Sequence, residues 1–123
     1  MYVFGERIDN NCRLCPHTAK ALAAIPNMRT AMFSILQPHY HIVPHRGPSR
    51  AMVRLHLGLI VPTDQPDKLW IRVDDQILYW EEGKVIIFTN TKSGMIPMNF
   101  GQCFLLISIV RWINSGLSSI NFF

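Results

Sequence analysis

The run MVRLHLGLIV, residues 52–61, alternates so regularly that an extended strand is the natural reading. As a strand it places Val53, Leu55, Leu57 and Leu59 on one face and Arg54, His56 and Gly58 on the other. TAMFSIL, residues 30–36, alternates less sharply, with Met32, Ser34 and Leu36 opposite Phe33 and Ile35. LWIRV, QILYW and KVIIF follow as further short strands, separated by the turn-forming DD and EEG. Many short strands with turn signals predict a mainly β chain, a sandwich or jelly roll. One short helix is expected at residues 18–25, in CPHTAKALAAIP, with Pro16 near its start and Pro26 as its stop.

The polar face of the 52–61 strand constrains function. Arg54 and His56 point the same way, about 7 Å apart along a strand. If that face looks into a barrel, the arginine needs an anion partner, because a buried unpaired charge is costly. If it looks at solvent, it needs nothing. Pattern alone leaves both readings open.

Composition narrows the classes. At 49% hydrophobic and 16% charged over 123 residues, the chain is a globular domain, neither disordered nor fibrous. The net charge of +4 is unevenly made: all eight acids precede residue 89, and beyond it only Lys92 and Arg111 are charged. No basic cluster interleaved with aromatics is present, so nucleic acid is not an expected partner. Three cysteines without a secretory signal predict reduced thiols in a cytoplasmic protein. Cys12-x-x-Cys15 followed by His17 is half of a zinc pattern whose second ligand pair is absent. The apolar run CFLLISIV, residues 103–110, is far short of the roughly 20 residues that span a bilayer, so stable membrane insertion is not expected.

Three of the five histidines crowd into HYHIVPHRGP, residues 39–48. In an extended chain His39 and His41 share a face, while His45 follows Pro44 where the chain must turn. Imidazole suits iron, zinc, copper or nickel, so the cluster by itself selects no metal. Partly exposed loop histidines are the plain alternative.

Together these residues resemble a known family. FSILQPHYHIVPHRGPSRAMVRLHLGLIVP followed by IRVDDQILYWEEGKVIIF is similar to the aspartyl/asparaginyl β-hydroxylases, and the likeness extends back through CPHTAKALAAIP to about residue 11. The helix segment looks like a bacterial branch that also includes lipid A hydroxylases. The resemblance implies a double-stranded β-helix, a cupin-like jelly roll, and iron(II)- and 2-oxoglutarate-dependent hydroxylation of a peptide or lipid substrate. It makes His45 the first iron ligand and puts Ser34, Arg54 and His56 where 2-oxoglutarate is held. Gly47 stands where most 2-oxoglutarate oxygenases carry a carboxylate ligand, an absence that this family shares. The inward reading of Arg54 and His56 then agrees with the chemistry, since a dicarboxylate needs fixed donors on an inward face.

The resemblance breaks after KVIIF. The family's second iron histidine, in a motif like HEVW, and an arginine about ten residues later that grips 2-oxoglutarate are both missing. No histidine follows His56, and no carboxylate follows Glu82. Aligning Trp112 with the family's late tryptophan puts Gly94 at the ligand position and Phe104 at the arginine. A chain with one ligand is expected to bind iron poorly and not to turn over. The organisation expected is thus a partial hydroxylase-like domain over residues 1–88 and a divergent tail over 89–123.

A shifted reading frame would explain such a tail, with a genuinely divergent tail as the plain alternative. Read one base earlier, TNTKSGMIPMNFGQCFLLISIVRWI can encode YEHEVWNDSDEFRAVLFIDIDRPLD, which contains HEVW and the later arginine. Some of its acids are forced: the Met95–Ile96 junction must yield Asp, and the Met98–Asn99 junction must yield Glu. The expected barrel is therefore truncated, with CFLLISIV an uncapped apolar strand whose faces do not suit an iron-site wall and which invites aggregation. The start looks clipped as well, because MYVFGERIDNN enters just before the helix.

Three functions follow. The first is a hydroxylase by family, inactive as written. The second is a non-catalytic remnant that binds 2-oxoglutarate or a partner through Ser34, Arg54 and His56. The third is a cupin-like metal-binding protein using His39, His41 and His45.

Overall fold

A strand apolar on one face and polar on the other has to be covered on its apolar side, and β5 (Met52–Ile60) is covered on both. The computed structural model describes residues 1–37, 41–45, 51–62, 69–89, 94–97 and 104–112. A hairpin of β1 (Tyr2–Val3) and β2 (Glu6–Arg7) leads into α1 (Asp9–Leu14) and α2 (Pro16–Ala23). Then come β3 (Met28–Leu36), β4 (His41–His45), β5, β6 (Trp70–Val73), β7 (Gln76–Tyr79), β8 (Val85–Thr89), β9 (Gly94–Pro97) and β10 (Phe104–Trp112).

These strands form two antiparallel sheets, ordered β2-β1-β3-β10-β5-β8 and β4-β9-β6-β7. From β3 onward successive strands are distributed between the two sheets, which is the double-stranded β-helix expected from the sequence. Between the sheets lies one core of Leu36, Val61, Leu69, Ile71, Trp80 and Leu106. On the outer face of the six-stranded sheet a second core packs Cys12, Ala19 and Leu22 against Ala31, Ile107 and Ile109, with Leu55, Leu57 and Leu59 beside them. The two faces of β5 thus belong to different cores. Trp80, 1% exposed, is the largest side chain of the inner core. Trp80→Ala is expected to lower unfolding free energy by about 3–5 kcal/mol in a denaturant titration.

Two helical details differ from expectation. α2 starts at Pro16 rather than residue 18, because proline at the first turn gives up no needed hydrogen bond. It ends early as Ala24 N–H turns back to the Ala21 carbonyl at 3.2 Å, tightening the last turn. α1 was not expected at all. Its six residues DNNCRL have weak helix propensity, and its stability comes from Cys12 buried beneath it.

The larger correction concerns the tail. CFLLISIV is not an uncapped strand: β10 lies inside the six-stranded sheet, paired along its length with β3 and β5. Its nearly continuous apolar run suits a position covered on both faces, with Leu106 in the inner core and Ile107 and Ile109 in the outer one.

Candidate functional site

The inward face of β5 carries Arg54 and His56. In the ladders Arg54 stands opposite Phe88 on β8 and Val110 on β10, and His56 stands opposite Ile86 and Ser108. His56 is buried, its ring stacked near Trp80 (centroids 6.1 Å apart) and edge-on to Phe88 (4.9 Å). Burial, aided by the neighbouring charge of Arg54, pushes its pKa down to about 4, so the ring is neutral at pH 7. Burial lowers the Arg54 pKa too, yet an arginine remains charged. Among the described residues, Arg54 Nε and His56 Nδ1 are both buried without a hydrogen-bond partner. Two such polar atoms on one inward face could serve a bound anion.

The His56 shift makes a stability prediction. Because the folded-state pKa lies below the ordinary value near 6.5, the native chain binds fewer protons than the unfolded one between those values. Stability is therefore full above about pH 6.5 and falls by up to about 1.4 kcal/mol per pH unit towards pH 4. His56→Gln should flatten that slope in urea titrations run across the same range.

Gly58 completes the strand's inward face and explains why LGL and WEEGK occur together. A Cβ on Gly58 would meet the Glu81 carbonyl oxygen at 2.7 Å, so only glycine allows the turn to lie against β5. Gly58 N–H donates to the Lys84 carbonyl (3.2 Å) and Gly83 N–H to the Gly58 carbonyl (2.9 Å). Gly83 itself has φ +74°, the left-handed conformation that the turn requires.

Ser34 shares the inward face, half-buried on β3 opposite Leu106 of β10. Strand β10 therefore stands between Ser34 and the Arg54–His56 pair. It contributes Ser108, directly across from His56, a residue that sequence reasoning missed although Leu106, Ser108 and Val110 alternate onto one face.

His45 sits at the end of β4 in the other sheet, with its ring exposed. Its Nδ1 is 3.0 Å from the Val43 carbonyl oxygen, which can only accept, so Nδ1 carries the proton and Nε2 is the free lone pair. Directly across the ladder from His45 stands Gly94. Gly94 is the residue that the resemblance aligns with the second ligand, and it offers no side-chain donor. His41 lies opposite Pro97, while His39 falls outside the described residues. Cys12 is buried with its sulfur 3.6 Å from the Met1 carbonyl oxygen, Cys15 is half-buried and His17 exposed. Among the described residues, no three His, Cys, Asp or Glu side chains stand together as a metal site.

The sequence model described as aspartyl/asparaginyl β-hydroxylase matches residues 1–94. The chain belongs to that family. This β-hydroxylase relative is 52% identical over 87 residues to the ornithine lipid ester-linked acyl 2-hydroxylase of Rhizobium tropici, a stretch covering 71% of this chain and 31% of the other. It is 35% identical over 92 residues to the aspartyl/asparaginyl β-hydroxylase of Homo sapiens, covering 71% of this chain and 12% of that protein. The chain therefore spans less than a third of either curated relative. In fold the β-hydroxylase relative is similar to a predicted oxalate decarboxylase from Thermotoga maritima (TM-score 0.57, 11% identity, 76% of this chain and 73% of that one). It is also similar to the cupin domain of a transcriptional regulator from Enterobacter cloacae (TM-score 0.57, 9% identity, 74% and 93%). Both likenesses bear on the fold alone.

Proposed function

We propose that this chain is the barrel of an iron(II)- and 2-oxoglutarate-dependent hydroxylase that keeps its seat for the co-substrate acid but lacks a complete metal centre. The observation that carries this reading is the ladder pair His45–Gly94, an imidazole facing a residue with no side-chain donor. The residues present do not fit iron, and no chemical step is assigned to it.

They do fit a dicarboxylate. Arg54 offers a fixed cation on the inward face and His56 a neutral ring. The inner-core side chains Trp80 and Phe88 would exclude water around the seat. Ser34, across β10, is assigned the hydroxyl contact on the same acid. The greater similarity to a lipid acyl hydroxylase than to the peptide-directed relative favours a lipid acyl chain as the ancestral substrate. A second reading, a non-catalytic acid-binding remnant, rests on the same orphaned atoms, Arg54 Nε and His56 Nδ1.

The tail is read as a frameshift product beginning near residue 89, in keeping with a family match that ends at residue 94. The nucleotide sequence across codons 85–100 tests this directly: absence of an alternative frame encoding HEVW would sink it. For the chain as written, saturable 2-oxoglutarate binding is expected in a calorimetric titration without added metal. Succinate release with iron(II), 2-oxoglutarate and O₂ would overturn the claim of an incomplete centre.

A further inference from the structure

Away from the barrel interior, the hairpin β1–β2 and helices α1 and α2 line an open hollow of about 320 Å³. Its floor is Tyr2, Cys12 and Ala19, and its rim carries Arg7, Arg13 and Lys20 with no carboxylate among the lining residues. Asp9 pairs with Arg7 at 3.3 Å. Among the described residues Arg13 donates to the neutral Asn10 Oδ1, and neither Arg13 nor Lys20 makes an ion pair. Two exposed cations are thus left uncompensated at the mouth of an apolar-floored hollow.

The surroundings point to the kind of anion. Leu14, directly after Arg13, is 81% exposed, and Phe4, at the tip of the hairpin that carries Arg7, is 78% exposed. Phe4 is held there by a left-handed backbone, φ +50°, beside Gly5, whose N–H donates to the Arg29 carbonyl. A soluble anion gives no reason for projecting leucine and phenylalanine side chains. An interface of headgroups and acyl chains accommodates both cations and apolar tips.

We propose that this hollow seats the phosphate headgroup of an anionic phospholipid and docks the domain peripherally on a membrane surface, with Leu14 and Phe4 entering the headgroup layer. This goes beyond the barrel chemistry and does not depend on it.

The test is co-sedimentation of the full chain with phosphatidylglycerol-containing vesicles and with pure phosphatidylcholine vesicles. Binding to the first only, weakening as salt is raised, is expected. Each basic side chain near an anionic leaflet is worth about a fivefold change in partitioning, so Arg13→Ser with Lys20→Ser should lower binding about 25-fold. Ala23→Gln fills the hollow without altering charge and should also reduce binding, separating a seat from diffuse attraction. All of these residues are exposed, and unchanged circular dichroism verifies the fold of each variant. Equal binding to both vesicles, or wild-type binding by Ala23→Gln or by the double variant, would overturn the proposal. So would displacement from vesicles by millimolar inorganic phosphate at constant ionic strength, which would make the hollow a soluble-anion site instead.

Discussion

Gly94→His should turn the chain into a measurable metal binder. Residues directly opposite in an antiparallel ladder hold their Cβ atoms about 4.5–5.5 Å apart on the same face, within reach of a shared ion for two imidazoles. His45 already presents a free Nε2, because its Nδ1 proton is committed to the Val43 carbonyl. Adding the partner across the Gly94 position converts one ligand into two on a strand pair that resumes at His45–Gly94 after a register shift beyond Ile42. A gain of about 100-fold in manganese(II) or zinc(II) affinity, about 2.7 kcal/mol, is the expected scale. Isothermal titration calorimetry of the variant reads it directly. His45→Ala in the same background should cancel the gain. Tight metal binding by the unaltered chain, or a Gly94→His variant indifferent to His45, would show that the ladder pair is not the metal position.

Arg54→Met should separate stability from binding. A cation half-withdrawn from water with its Nε unpartnered is a liability in the empty protein, and replacing such groups by apolar ones is often neutral or stabilising. The variant is expected to unfold at equal or higher urea, with a gain of up to about 1 kcal/mol. Binding of 2-oxoglutarate should fall by about 100-fold, since losing one partner of a buried charge pair costs about 2–5 kcal/mol. Arg54→Lys should recover only part of it, because an ammonium lacks the guanidinium fork. If Arg54→Met binds the acid as well as the parent chain, the inward face of β5 is not the seat.

What could be read from the residues was what alternation controls. The faces of β5 follow from MVRLHLGLIV alone, and the structure sends Leu55, Leu57 and Leu59 to the helices and His56 to the interior. β3, β6, β7 and β8 lie within a residue or two of their expected positions for the same reason. α1 escaped notice because its helical state depends on burying Cys12, a tertiary effect that six weakly helical residues do not advertise. The tail was misjudged because an apolar run without alternation looks faceless until both of its faces are covered. Ser108 was overlooked with it, since only the register of β10 against β5 places it opposite His56. The link between Gly58 and the EEG turn was invisible for another reason: it is a contact between backbones, and the motif letters record only the missing side chain.

The placement of β10 between β3 and β5 has a consequence for biosynthesis. β10 is made after every other described strand, yet it fills the middle of the larger sheet, bridging β3 to β5. As the chain emerges from a ribosome, β3 and β5 therefore wait with open backbone edges until the final described segment arrives. Such long-range closure is slow and leaves sticky intermediates exposed. Newly made chains of this kind are natural clients for holding chaperones, and a stop codon anywhere before β10 would release two unsealed edges rather than a slightly shorter barrel.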